Sequence, residues 1–538
     1  MNKNRIILII CLTNLCILFS CTNLEETVYS DVLKDNFYKN EAEIISALAP
    51  AYGGLRGVIY KYELGSGIEL LWEASSFTTD ETVLPTRGKD WYDGGVYQRF
   101  HEHNWTPEHP FFGSIWTYGF GRVNKANQLI FQLKQVENKM DPAFYSQFVA
   151  ELKIIRAFGY YQLIDFFGNV PIVDRFDVSA GYLPQNNQNF AAGRNEVFNF
   201  IEKDLLENVD YLSREKNQST YGRFNKYAAL ALMAKLYVNA EVWTGTPKWD
   251  ECIAACDSII QSGKYNLESD YFANFLGKNE NSTENIFVIP FDELKTDWEL
   301  LFYWVGLHPS LQKKYKTATG PWNGFSALPS HVKSFNDEDK RRNGWLTGQQ
   351  YSSTGELLKC AYESVPNPLN LTVDFENIYN PSDPAVYDHR NALEYHGARF
   401  VKYEITPYPS FCMDNDLAVY RLADILLLKA EALLRKNGGM ATQEAVDLVN
   451  QVRNRAFDDP ASHKYDISTL TLDALLQERS WELYFEGVRR NDLIRFGKFV
   501  RGQWEFVDRS GEEDYRNIFP IPQTSINSNP GLVQNPGY

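Results

Sequence analysis

Apolar residues recur three and four positions apart through long stretches of this chain. The runs NEAEIISALAPAYGGLRGVI, SIWTYGFGRVNKANQLIFQLKQV, QFVAELKIIRAFGYYQLIDFFG, NEVFNFIEKDLLENVDYL, KYAALALMAKLYVNAEVW and WDECIAACDSIIQSG all carry that spacing. It is the rhythm of helices that bury one stripe. The third run stops at Gly168 just before Pro171, a glycine-then-proline ending typical of a helix. After Gly263 the texture changes. Residues 265–415 are crowded with Pro, Asn, Gly, Tyr and Trp and hold few periodic runs, which predicts loops, short strands and short helices. Helical spacing returns in VYRLADILLLKAEALLRKNGG, TQEAVDLVNQVRNRAF and TLDALLQERSWELYFEGVRRNDLIRF. The Pro/Asn-rich tail FPIPQTSINSNPGLVQNPGY is predicted to be non-helical.

The helices arrive in pairs and carry small residues where neighbours would cross. Ala228, Ala231 and Ala234 sit at three-residue spacing, and Ala430 and Ala432 follow Ala423. The predicted fold is therefore mainly α, a helix-turn-helix scaffold similar to degenerate tetratricopeptide repeats, with an irregular loop-rich insertion. The expected organisation is a leader at 1–20, a helical region at 21–264, the irregular region at 265–415 and a second helical region with its tail at 416–538, all in one compact body.

The leader has a basic start at Lys3 and Arg5 and an apolar run from Ile6 to Phe19, too short to span a bilayer comfortably, so it reads as an export signal. It ends in Leu18-Phe19-Ser20-Cys21, which resembles a bacterial lipobox. Cys21 is expected to be acylated and to become the mature N-terminus, because several acyl chains on one residue anchor a protein firmly. No later run approaches eighteen uninterrupted apolar residues. Cys252 and Cys256 are one helical turn apart, poorly placed for a disulfide, and are expected to be small buried residues.

Net charge is −16, and removing residues 1–20 takes away two basic residues and no acid, giving −18. Without a basic run to offset it, such a surface argues against nucleic acid or an anionic membrane face as partner.

Several blocks stand in a telling order: RAFGYYQLIDFFGNVPIV (156–173), GRFNKYAALALMAKLYVNA (222–240), RLADILLLKAEAL (421–433), VNQVRNRA (449–456), ERSWELYFEGVRRNDLIRFGKF (478–499) and the terminal FPIP…NPGLVQNPGY. DETVLPTRGKDWYDGG (80–95) joins them near the N-terminal end. Together they resemble the SusD/RagB family of surface lipoproteins from Bacteroidetes, across nearly the whole mature chain. The resemblance implies an α-α superhelical, non-enzymatic protein of the outer membrane that binds glycans, or in some relatives peptides. It also implies delivery of that ligand to a SusC-like TonB-dependent transporter. The scaffold helices would face the transporter and the irregular region would carry the ligand. Glu25 and Glu26, just after the lipobox, fall where surface-exposed lipoproteins of this group often carry an acidic export signal.

Three groups of residues offer chemistry. Glu478, Glu482 and Glu486 share a predicted helical stripe, with Arg489 three residues on. Two carboxylates could serve as the acid and base of a secreted glycoside hydrolase, the alternative reading. Carboxylates one turn apart on a single helix do not flank a substrate, however, and interleaved Trp481, Leu483, Phe485 and Leu493 favour a structural ion network. HEHNWTPEH gathers His101, Glu102, His103 and His109, but the spacing matches no familiar zinc signature, so these are expected to be surface histidines. The chain has no Gly-rich phosphate loop, G-x-S-x-G elbow or H-E-x-x-H. No cofactor is expected; structural calcium finds no EF-hand-like spacing to support it.

Aromatic residues form the third group. Trp and Tyr rings stack on the flat C–H faces of sugars at low entropic cost while polar neighbours hold the hydroxyls. The candidates are Arg87, Asp90 and Trp91, Trp105, Tyr303 and Trp304, and Trp322 and Asn323. Trp322 is the sharpest, because Pro321 and Gly324 bracket a turn that can lift a ring into solvent.

Overall fold

The structure, a computed structural model, describes residues 41–56, 67–87, 90–179, 181–295, 302–361, 367–375, 392–407, 413–501, 503–509 and 511–538. The export leader, Cys21, Glu25, Glu26 and Cys412 lie outside the described residues.

Helices α1 (Glu41–Arg56), α2 (Gly67–Phe77), α3 (Val96–His101), α4 (Pro110–Lys134), α5 (Pro142–Phe167), α6 (Phe190–Asn208), α7 (Lys226–Val238) and α8 (Trp249–Ile260) come first. After the irregular region follow α9 (Leu422–Lys436), α10 (Gln443–Arg453), α11 (Leu472–Leu483) and α12 (Arg489–Arg495). Side chains just outside the helices set several starts. Asp141 accepts hydrogen bonds from the N–H groups of Ala143 and Phe144 at the head of α5, and Asn225 does the same for Tyr227 and Ala228 at α7. At its far end α5 stops at Gly168, which has φ of 70°.

Packing follows chain order. Helix α4 lies on α5, α5 on α6 and α7 on α8, and α9 then packs on both α8 and α10. The helices after the insertion thus extend the array begun before it, the mainly α, tetratricopeptide-like arrangement. At the α4–α5 crossing a Cβ added to Gly119 would lie 2.6 Å from Leu163, so the two helices approach as closely as glycine allows. Ala228, Ala231, Ala234, Ala423, Ala430 and Ala432 are all buried, as are Cys252, Cys256 and Cys360.

The insertion leaves and rejoins the scaffold through one antiparallel pair, β1 (Asn285–Ile289) against β2 (Leu417–Arg421). Shorter pairings tie it down. Thr82–Val83 pairs with Ser326–Ala327, and Trp345–Leu346 with Arg399–Phe400. The first of these holds the chain entering residues 87–95 beside the strand that follows Trp322.

Two local expectations are corrected. The run 471–496 is not one helix: α11 ends at Leu483 and α12 begins at Arg489. Between them Phe485 adopts φ of 53° and Gly487 φ of 72°. The break turns Phe485 inward to stack on Phe325 at 4.8 Å, and a Cβ at Gly487 would meet Trp72 at 2.4 Å. The tail also contains a short helix, Gln523–Ser528.

Glu486 therefore leaves the helical stripe, yet it joins Glu478 and Glu482 in one buried ion network. Arg421 reaches Glu284 at 2.6 Å, Glu482 at 3.0 Å and Glu486 at 2.6 Å. Arg341 bridges Asp339, Glu478 and Glu482, Arg453 holds Glu478, and Arg455 joins Glu284 to Glu482. Lys402 binds Glu486 at 2.6 Å. Five carboxylates meet five cations, the balance that buried charge requires. Burial would raise the Glu284 carboxyl, but Arg455 and Arg421 outweigh it and hold it down at about 2. The network joins β2, α10 and α11 to the insertion, the structural role expected for these glutamates.

Candidate functional site

The segment from Asp90 to Gly95 bends sharply. Trp91 and Asp93 have φ of 64° and 40°, and Gly94 and Gly95 follow at 66° and 81°. Left-handed backbone at Trp and Asp costs about 1–3 kcal/mol per residue and persists only where surroundings enforce it. Here the enforcement comes from the insertion. The Trp91 indole Nε1–H donates to the Trp322 carbonyl at 2.8 Å. The Trp91 ring also lies against Gly324, where an added Cβ would approach it to 3.1 Å and the Val305 carbonyl to 2.7 Å. Both tryptophans are half-buried, and Tyr92 beside them is 51% exposed.

Beneath this face lies a polar clamp. Residues 322–324 are held from one side by the 304–307 turn: Trp322 N–H donates to Trp304 O at 2.6 Å and Asn323 N–H to Leu307 O at 2.8 Å. From below, Arg87 Nε donates to Asn323 O at 2.9 Å and Arg399 Nη2 to Asn323 Oδ1 at 2.8 Å. Ser326 Oγ accepts from both arginines, at 2.6 and 2.7 Å. Arg87 also donates to Leu393 O, and Arg399 and Asn323 Nδ2 both donate to Glu394 O. Asn323 itself has φ of 58°. Burial pushes Arg399 down to about 9, which leaves it charged at neutral pH. Burial also lowers Arg87, and the neighbouring Arg399 adds to the effect.

The structure thus brings together most of the sequence candidates and gives them different tasks. Trp91 and Trp322 share the open face, and the side chain of Asp90 is exposed at its edge. Arg87 and Asn323 are turned inward, their polar groups spent on the clamp rather than on solvent. Tyr303 and Trp304 are buried and pack on each other at 4.6 Å, so they support the turn under Trp322 and offer no free ring face. Trp105 lies elsewhere, 1% exposed, with its ring against Phe519 at 5.0 Å and its Nε1 donating to the Tyr538 hydroxyl at 2.7 Å. Arg399, Ser326 and Glu394 belong to the clamp but carry no local pattern that marks them in the sequence.

The histidines of HEHNWTPEH are not surface residues: His101, His103 and His109 are all buried. His103 bridges Glu512 and the Thr78 carbonyl at 2.8 Å each, while His101 and His109 each reach a backbone carbonyl at 2.9 Å. Burial lowers His109 to about 4, so it is neutral at physiological pH. Among the described residues no group of three or more His, Cys, Asp or Glu side chains is arranged to hold a metal ion, and no helix is long and apolar enough to cross a membrane.

Comparison with known proteins accords with this architecture. A family model described as "SusD family" matches residues 260–538, and a second, described as "Starch-binding associating with outer membrane", matches residues 58–238. The starch-binding protein SusD of Bacteroides thetaiotaomicron is 27% identical over 452 residues, which covers 76% of each chain. A SusD superfamily protein of Parabacteroides distasonis superposes with a TM-score of 0.71 at 22% identity, covering 92% of this chain and 99% of its own. A laminarin-binding SusD-like protein superposes with a TM-score of 0.69 at 23% identity, covering 93% of this chain and 100% of its own. With a family match over more than half its length and the same fold throughout, the chain belongs to the SusD family.

Proposed function

We propose that this protein binds oligosaccharide or polysaccharide non-catalytically at the cell surface and passes it to a SusC-like TonB-dependent transporter. The observation that carries the reading is the Trp91–Trp322 face. The Trp91 indole is fixed by its bond to the Trp322 carbonyl, and buried arginines clamp the backbone that carries Trp322, so the two half-buried indoles stand on a preset frame beside the exposed Tyr92. Such preorganisation spares the entropic cost of ordering side chains on binding. The starch- and laminarin-binding relatives support glycan as the ligand class.

The non-catalytic part of the reading is supported by the fate of the three glutamates. Glu478, Glu482 and Glu486 are buried and each is ion-paired, so none is placed to protonate a leaving group or activate water. Incubation with starch and laminarin should produce no new reducing ends while affinity gels containing the cognate glycan retard the protein. Release of reducing ends would restore the hydrolase reading, and retention by a peptide pool alone would move the ligand class to peptides.

Attachment to the outer membrane is assigned to acylated Cys21, with Glu25 and Glu26 directing the protein to the outer face. Labelling cells with a palmitate analogue should mark the wild type and not Cys21→Ala, which should leave the membrane fraction. Co-purification with a TonB-dependent transporter tests the partner.

A further inference from the structure

A cleft of about 330 Å³ opens between the loop joining α6 to α7 and the segment leading into β1. Its volume is at the lower end for pockets that hold small organic ligands. None of its lining residues belongs to the Trp91–Trp322 face. We propose that this cleft is a second saccharide-binding site, one that takes one or two uncharged sugar rings.

Two tyrosines give it rigid walls. The Tyr221 hydroxyl donates to Asp416, whose other oxygen accepts the Phe291 N–H at 2.9 Å, so this ring cannot swing away. The Tyr265 hydroxyl accepts from Asn225 Nδ2 at 3.3 Å, and the Lys216 ammonium sits 4.4 Å above its ring. Lys216 is fixed in turn by the carbonyls of Ser282 and Thr283, at 3.2 and 2.9 Å.

Against these fixed walls stand three uncommitted polar arms. Gln218, Glu280 and Asn281 line the cleft, are exposed, and make no side-chain hydrogen bond or ion pair among the described residues. Glu280 is an obligate acceptor, whereas the two amides both donate and accept. Sugar hydroxyls, which do both, satisfy such a mixture. One cation and one carboxylate leave the cleft without net charge, which disfavours an anionic ligand, and a single carboxylate is a poor cage for a divalent cation. Rigid rings flanked by adaptable polar side chains are the combination that other polar recognition surfaces use.

The test uses the mature full-length chain with its first face removed by Trp91→Ala and Trp322→Ala. Saturation-transfer NMR is run with D-glucose, D-galactose, D-mannose and D-xylose, and with glycine as a zwitterionic control. Transfer to at least one sugar should persist in this variant, and its affinity should fall about tenfold when Glu280→Ala and Asn281→Ala are added. Absence of transfer to all four sugars, indifference to the added substitutions, or binding of glycine in their place would overturn the proposal. The first face is judged separately, by the loss of retention in polysaccharide gels when Trp322→Ala replaces the wild type. A wild type that is retained, with a double-tryptophan variant that binds no sugar, refutes the second site alone.

Discussion

The indole of Trp91 donates its hydrogen bond to the backbone carbonyl of Trp322 at 2.8 Å, joining two aromatic residues 231 positions apart into one face. The Trp91 ring is held by the backbone of residue 322, an acceptor that Trp322→Ala leaves in place. Trp322→Ala is expected to weaken retention in glycan affinity gels by at least about 30-fold, the loss of a binding hot spot. Trp91→Ala should weaken it comparably. Both variants should melt within a few degrees of the wild type, since neither ring is core. Full retention by Trp322→Ala would remove the face from consideration.

Arg399 makes a different prediction. It donates to Asn323 Oδ1, Glu394 O, Ser326 Oγ and His396 O from a fully buried position. Arg399→Met would strand these acceptors and should cost about 2–4 kcal/mol of stability. Thermal unfolding checks the cost. Binding should fall in the same variant even at temperatures where it remains folded, because the backbone under Trp322 loses its support. Undiminished binding by folded Arg399→Met would separate the clamp from the face.

Acid should dismantle the buried ion network. Glu284 ordinarily titrates near 4.5 and is held at about 2 in the folded chain. A lowered carboxyl pKa adds stability that is complete above about 4.5 and is lost as pH falls toward 2. Glu284→Gln should therefore flatten the dependence of the melting temperature on pH across that window. It should also destabilise the protein by about 3–5 kcal/mol at neutral pH by leaving Arg421 and Arg455 under-compensated.

Glu81 runs the opposite way. It is buried beside the 484–488 turn, accepting the Phe485 N–H at 3.2 Å, and burial raises its carboxyl to about 8. The folded chain then keeps a proton that the unfolded chain releases, so between about 4.5 and about 8 this group's contribution falls as pH rises. Glu81→Gln copies the protonated form. It should be near neutral at pH 5 and more stable than wild type by about 1–3 kcal/mol at pH 8. Melting curves at the two pH values decide it, and equal differences at both would refute the assignment.

Much of this was legible in the chain because helical periodicity is a local property. Ala228, Ala231 and Ala234 mark a close crossing within one turn and a half, and Gly168 before Pro171 marks a helix end. The proximity of Trp91 to Trp322 is not local, and the pairing of Thr82–Val83 with Ser326–Ala327 produces it. Residue type singled out aromatic segments without distinguishing the ring that reaches solvent from the ring that fills the core. Trp105 and Trp322 both stand beside turn-forming residues, yet one is sealed under Phe519 and the other stays half open.

The sequence by itself determined the helices, the buried small residues, the acidic surface and the family, because each depends on spacing or composition over short spans. Tertiary structure alone decided three further things: that Arg87 and Asn323 turn inward as a clamp, that the chain breaks at Phe485 to fill an aromatic cluster, and that Glu486 returns to Arg421 from outside the helix. Each depends on a partner far along the chain. A side chain's orientation is settled by whether burying it there satisfies its polar groups, and those partners exist only once the insertion has folded back onto the scaffold.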